Sequence, residues 1–220
     1  ILVTATEKAD LTLAQAAGAR LTDVYLRGNP QALSAKPVPG ITPLQIAGAL
    51  LRCGLNQEAI RILETTLEIT PNQTELLEKL ADLQTSAKQL EDASRTLQVL
   101  SGLRPDDLAL RRKLALTYEA CQSWQAAMDE WMGLVAECQY SNPAAELDDL
   151  HALAQSALNA EQPLPALHAA QRALSLFSDD GLAYTFMGQA YAQQHDLTRG
   201  LEALEKATQV SPELPQTWIA

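Results

Sequence analysis

Aromatic residues are scarce in this chain, 5% of 220 residues, and neither glycine (10) nor proline (11) is enriched; collagen-like and low-complexity disordered classes are excluded. Cysteine is limited to Cys53, Cys121 and Cys138. An odd number with no CxxC pair indicates neither a zinc knuckle nor a closed disulfide framework, and a reducing, cytoplasmic setting is the expectation. Basic side chains are outnumbered, 16 against 27 acidic, for a net charge of −11. That field repels phosphate backbones and anionic lipid heads, so nucleic acid is not an expected partner. Long apolar runs are also missing. The longest charge-free stretch, Pro37 to Leu51, contains Pro39, Gly40 and Pro43 and falls short of the ~20 residues a spanning helix needs, so no membrane insertion is expected. The first residue is Ile and not Met, which reads as an excerpt of a longer protein and leaves an upstream signal open. With 47% hydrophobic residues, the chain is long enough to bury a sizeable core as one or two domains or as an elongated repeat array.

A repeat sets the architecture. Small residues recur at Ala47, Ala81, Ala115, Ala154 and Gly188, spaced 34, 34, 39 and 34, and a second small series, Ala59, Ala93, Ala127, Ala166 and Gly200, keeps the same step. The apolar series Ile46, Leu80, Leu114, Leu153, Met187 and Leu63, Leu97, Trp131, Ala170, Leu204 follow in register. Fixed small columns beside large apolar ones are what closely crossing amphipathic helices require, since only a small side chain admits the neighbouring backbone. Thr42-Pro43-Leu44-Gln45 reads as a capping box with proline at the first helical position, and Asn72 with Glu75 as a second box.

Residues 181–214 carry the fullest pattern: Tyr184, Met187-Gly188, Tyr191, Gly200, Ala207 and Pro212, with Pro71 and Pro105 at the terminal-proline position of earlier units. The chain here resembles the tetratricopeptide repeat family, whose unit is a 34-residue helix–turn–helix. The resemblance implies an all-α fold, a right-handed superhelical solenoid of antiparallel helix pairs, with units at 40–73, 74–107, 108–146, 147–180 and 181–214. Unit three is five residues longer, around Glu137 to Glu146, where Tyr140-Ser141-Asn142-Pro143 reads as a turn. That insertion is read as a surface loop, either merely tolerated or in contact with a partner. Residues 215–220 start a sixth, truncated unit with Trp218 at the first aromatic position. Trp218 and Ile219 then form an apolar edge that invites more chain or a second copy, as in a homodimer. Residues 1–39 stand outside the repeat as an atypical N-terminal segment and linker. They read either as a capping helix pair or, through Ile1–Thr6, Ala16-Ala17-Gly18-Ala19 and Val24-Tyr25-Leu26, as faintly similar to the end of a bacterial receiver domain.

Catalytic constellations are lacking. His151, His168 and His195 are too far apart for an HxxxH face, and no GxxxxGK[ST], GxGxxG or GxSxG occurs. No metal, no cofactor and no enzymatic activity are expected. Cys53 and Cys121 share one repeat position and read as packed thiols. The pairs Asp106-Asp107, Asp148-Asp149 and Asp179-Asp180 read as anions at the starts of first helices.

The family resemblance implies a concave face lined by the second, fifth, ninth and twelfth positions of each first helix, where a peptide or partner helix binds. Carried over, that face includes Glu78, Asp82, Arg112, Leu116, His151, Gln155, Asn159, Thr185 and Gln189. Leu44 and Gly48 stand where chaperone-binding members carry Lys and Asn, so a chaperone tail is not implied. Arg112 either holds a ligand carboxylate or pairs with Glu78 and Asp82 on the adjoining helix, the reading preferred here. The amides Gln155, Asn159, Gln189 and Gln193 either bind a peptide backbone or are simply solvated. Three functions follow: a non-enzymatic protein-interaction scaffold or adaptor, a self-assembly element, or a regulatory arm of a larger bacterial signalling protein or enzyme.

Overall fold

The computed structural model describes residues 42–212. The readings made for residues 1–41 and for Trp218 and Ile219 lie outside them. Ten helices are present among the described residues: α1 (Pro43–Arg52), α2 (Asn56–Ile69), α3 (Thr74–Ser86), α4 (Leu90–Leu103), α5 (Leu108–Ala120), α6 (Trp124–Glu137), α7 (Pro143–Asn159), α8 (Pro163–Leu176), α9 (Gly181–Gln193) and α10 (Leu197–Val210). Contacts group them into two units, one running up to Arg104 and the other from Pro105.

In the first unit α1 packs on α2, α2 on α3 and α3 on α4. Its interior is mostly aliphatic, with Leu50, Ile62, Leu63, Leu97 and Leu100 fully enclosed, and the buried Gln84 of α3 accepts the Thr96 hydroxyl of α4 at 2.7 Å. In the second, α5 to α10 pack each on the next, and α7 also reaches α9, around Trp131, Leu134, Leu150 and Phe186. The small columns do what their spacing requires. Ala47, Ala81, Ala115, Ala154, Ala59, Ala93, Ala127 and Ala166 have no exposed surface at all. Gly188 and Gly200 bring α9 and α10 together most tightly: a Cβ on Gly188 would stand 3.2 Å from the Gly200 carbonyl oxygen, and one on Gly200 3.3 Å from that of Gly188.

Each first helix ends in the same way. Leu55, Gln89, Ser123, Gln162 and Asp196 donate their backbone N–H to the carbonyl five residues back, and the residue before each stands in the left-handed region: Gly54 (φ 75°), Lys88 (59°), Gln122 (58°), Glu161 (58°) and His195 (63°). This is the Schellman closure, for which glycine is the unstrained residue. A side chain there costs roughly 1 kcal/mol, partly offset by the unfolded-state freedom that glycine brings. The combined substitution Lys88→Gly, Gln122→Gly, Glu161→Gly, His195→Gly should therefore stabilise the protein, on the order of 0.5 kcal/mol per site. Urea unfolding followed by circular dichroism checks this; a lower midpoint would show that these side chains make compensating contacts.

Helix starts divide the sequence expectations. Thr42 and Gln45 form the expected reciprocal capping box, at 3.2 and 2.9 Å. The second box does not form: Gln73 and not Asn72 is the N-cap of α3, and it makes no side-chain cap bond. Asp107 and Asp180 cap α5 and α9 as read, and Cys53 and Cys121 both take the C-cap position of a first helix.

The expected loop near Glu146 is a correction. Asn142 caps Pro143 as the first residue of α7, and that helix runs 17 residues where α5 and α9 run 13. Most of the insertion is spent on helix. Asp148 and Asp149 thus lie inside α7 and cap nothing.

Candidate functional site

Starting α7 at Pro143 fixes which of its residues face inward. Glu146, Asp149, Leu150, Leu153, Ser156 and Ala157 recur at three- and four-residue intervals, and all are buried. Three members of this stripe are polar, and a buried polar group needs a partner. Each has one on another helix. Glu146 receives the Arg172 guanidinium of α8, with Nε at 2.6 Å and Nη2 at 2.5 Å from the same oxygen. Ser156 donates to Glu119 of α5 at 2.7 Å, and the Trp131 indole of α6 donates to that same carboxylate oxygen at 2.7 Å. Asp149 takes the Arg112 fork of α5, with Nε at 3.0 Å and Nη2 at 2.7 Å, and accepts the Tyr140 hydroxyl at 2.7 Å.

Arg112 is therefore tied down, but by neither predicted partner. Glu78, exposed on α3, pairs instead with Arg104 at 3.2 Å. The Asp149 hydrogen bond outweighs the cost of partial burial and holds the Arg112 guanidinium still more firmly protonated than usual. Burial, joined by the bond to Asp149, pushes the Tyr140 phenol upward. Sequence reading missed Asp149 because it took the helix to begin four residues later; Asn142-Pro143, a cap followed by proline at the first position, was the available signal.

The fifth-position row of the second unit is engaged throughout. Besides Arg112, His151 of α7 meets the Asp180 carboxylate at 2.6 Å and lies edge-on to Phe186, with ring centroids 5.8 Å apart. Thr185 of α9 is 1% exposed and donates to the Gly181 carbonyl. It packs within the fold and offers no reachable surface, which corrects its assignment to a ligand face. Asp180 also accepts from the Leu182 and Ala183 backbone N–H groups. Burial alone would raise its carboxyl, but His151 and those two donors prevail and hold it below the ordinary carboxylate range. A lowered folded-state pKa gives stability that is full above the unfolded value and is lost as pH falls through the folded value. Asp180→Asn should accordingly flatten the acid limb of a thermal stability profile below about pH 4; an unchanged limb would assign acid unfolding to other carboxylates.

The ninth-position row is different. Leu116 of α5 is 54% exposed, Gln155 of α7 is exposed, and Gln189 of α9 is half-buried. Gln155 donates to the exposed Asn159 at 3.3 Å, and Gln193 closes the end of α7 by donating to the Leu158 carbonyl at 2.9 Å. Asp82 holds the same register position in α3 and is exposed. Among the described residues no three His, Cys, Asp or Glu side chains gather as a metal site, and no helix is long and apolar enough to cross a membrane.

Residues 50–117 match the family model of the tetratricopeptide repeat. No curated protein matches the sequence. Among solved structures, a crystal structure of MamA is similar at 20% identity, over 78% of this chain and 91% of that one, with a TM-score of 0.57. MamA from Desulfovibrio magneticus RS-1, from residue 41 to its end, is 18% identical over 79% and 95%, with a TM-score of 0.53. YrrB, described as a TPR protein with an unusual peptide-binding site, is 13% identical over 86% and 95%, with a TM-score of 0.61. At these identities the structural likenesses speak to the fold. Residues 50–117 thus match the tetratricopeptide repeat family, and the recurring helix pairs and these structural likenesses extend the same fold over the described residues.

Proposed function

We propose that this chain is a non-enzymatic protein-interaction module that binds an extended peptide segment along the ninth-position row of its second unit. The observation that carries this reading is the contrast between adjacent rows. Arg112, His151 and Thr185 are consumed by contacts within the fold, whereas Leu116, Gln155 and Gln189 offer an apolar spot and two neutral amides to solvent. Amides satisfy the donors and acceptors of an extended backbone without selecting its charge, and an exposed leucine adds an apolar anchor. Binding should then depend little on salt, since no charge pair is formed. The 220-residue chain and a Leu116→Glu, Gln155→Ala, Gln189→Ala variant of equal helicity would be compared as baits in lysate of the source cell. A partner retained by the first and weakened about tenfold or more in the second supports the reading, a loss typical of removing an anchor residue. Equal retention overturns it.

A second reading, self-assembly through the end of the array, has its own observation. Ile60, Ser94, Met128, Leu167 and Leu201 form one register column, and the first four are 3%, 9%, 5% and 6% exposed while Leu201 is 63% exposed. A position covered in four repeats, apolar in three of them, and open with a leucine in the fifth is a surface awaiting a helix, with Leu197 beside it at 67%. Light scattering that shows a dimer in the parent and a monomer in Leu201→Glu would favour this reading; a monomeric parent removes it.

A further inference from the structure

The turn between α5 and α6 and the turn between α7 and α8 enclose a recess of about 610 Å³, lined on one side by Gln122, Trp124, Gln125 and Asp129 and on the other by Asn159 and Glu161. That volume lies within the range of sites that take a ligand. None of Leu116, Gln155 and Gln189 lines it. Each turn joins the C-terminus of one helix to the N-terminus of the next, so the partial charges of opposite sign at those ends offset one another and the side chains set the local field.

Those side chains are acidic and unspent. Asp129 and Glu161 are the ionisable groups of the recess, and both are exposed. Neither carboxylate is paired with a cation: Asp129 accepts the neutral Gln125 amide at 3.1 Å, and the Glu161 side chain has no partner among the described residues. Trp124, half-buried as the first residue of α6, is unengaged as well. The Tyr191 and Tyr184 rings of α9 each hold a cation of α10, Arg199 at 5.8 Å and Lys206 at 5.9 Å from the ring centroid. Trp124 carries the aromatic system that attracts cations most strongly, yet it has no such neighbour among the described residues. An indole face and two unpaired carboxylates in one recess suit a guanidinium, which stacks by its plane and donates from its edge.

We infer that this recess docks an arginine side chain from a basic segment of a partner protein, with the guanidinium stacked on Trp124 and donating to Asp129 and Glu161. The site is separate from the ninth-position row and is told from it by salt: binding at that row forms no charge pair, whereas docking here weakens as ionic strength rises.

The test uses the 220-residue chain and fluorescein-labelled twelve-residue peptides of glycine and serine that carry arginine, lysine or the neutral citrulline at the same positions. Fluorescence anisotropy should show the arginine peptide bound, the lysine peptide weaker by a few-fold and the citrulline peptide weaker by about tenfold or more. Attraction to the net charge of −11 is separated by two charge-matched double variants. Asp129→Asn with Glu161→Gln should weaken the arginine peptide about tenfold. Glu202→Gln with Glu205→Gln, which removes the same charge from exposed positions of α10, should weaken it about twofold at most. Trp124→Ala, checked for equal helicity, leaves the net charge alone and should weaken it about fivefold, and Gln189→Ala should leave it unchanged. In the parent, the Trp124 indole N–H resonance should move on saturation while that of Trp131, held by Glu119 at 2.7 Å, should not. No binding of the arginine peptide, equal binding of the citrulline peptide, equal losses in the two double variants, or a Trp124 resonance that stays in place would each overturn the assignment.

Discussion

Replacing Asp149 with alanine should cost the second unit about 3 kcal/mol, the low end of what is lost when one member of a buried ion pair is removed. The carboxylate is 6% exposed and receives two nitrogens of Arg112 together with the Tyr140 hydroxyl. Its loss strands both donors. The low end applies because the Arg112 side chain is 32% exposed, so water can recover part of its hydration. Tyr140→Phe removes only a hydrogen bond and should cost about 1 kcal/mol. Urea unfolding of the two variants beside the parent separates these effects. A loss below 1 kcal/mol in Asp149→Ala would show that the pair is already satisfied by solvent, and α5 and α7 would then owe their docking to apolar packing alone.

Gly188→Ala should destabilise the α9–α10 pair by about 2 kcal/mol, within the range for overpacking a filled interior. The added methyl would stand 2.6 Å from Leu204 Cγ and 2.7 Å from its Cδ2, with the Gly200 carbonyl 3.2 Å away. Rotation about χ2 of Leu204 leaves Cγ in place, so relief requires either a change of χ1 rotamer within the packed crossing or a parting of the helices. Combining Gly188→Ala with Leu204→Ala should cost less than the two single changes summed, because the second makes room for the first. Strict additivity in the unfolding free energies would show that the methyl meets something else.

Much of the fold was legible because packing constraints repeat and site constraints do not. Ala47, Ala81, Ala115 and Ala154 carry no information singly, but at a fixed step they locate every close helix crossing. Arg112, Asp149 and Tyr140 have no such periodic support. They come together only after α7 gains a turn at its start, and an insertion in a repeat reads equally as loop or helix until its cap is weighed. Thr185 shows a related limit. Its register position is shared with Arg112 and His151, yet burial at that position is set by the side chain and its neighbours, so a register carried over from a family locates a row without saying which members can be reached. The left-handed column from Gly54 to His195 is invisible in composition, since four of its five members are not glycine.

The polar stripe of α7 bears on modularity. Repeats are interchangeable where their contacts are apolar and alike, and α1, whose enclosed residues Ile46, Ala47, Ala49 and Leu50 are all apolar, could be exchanged for its counterpart at little cost. α7 could not. Glu146, Asp149 and Ser156 answer particular residues on two other helices, so a transplanted helix would leave Arg112, Glu119 and Arg172 without their answering groups. An array shortened, lengthened or shuffled by recombination would tolerate a breakpoint beside α1 and reject one beside α7, which makes that helix the element that fixes the order of the repeats around it.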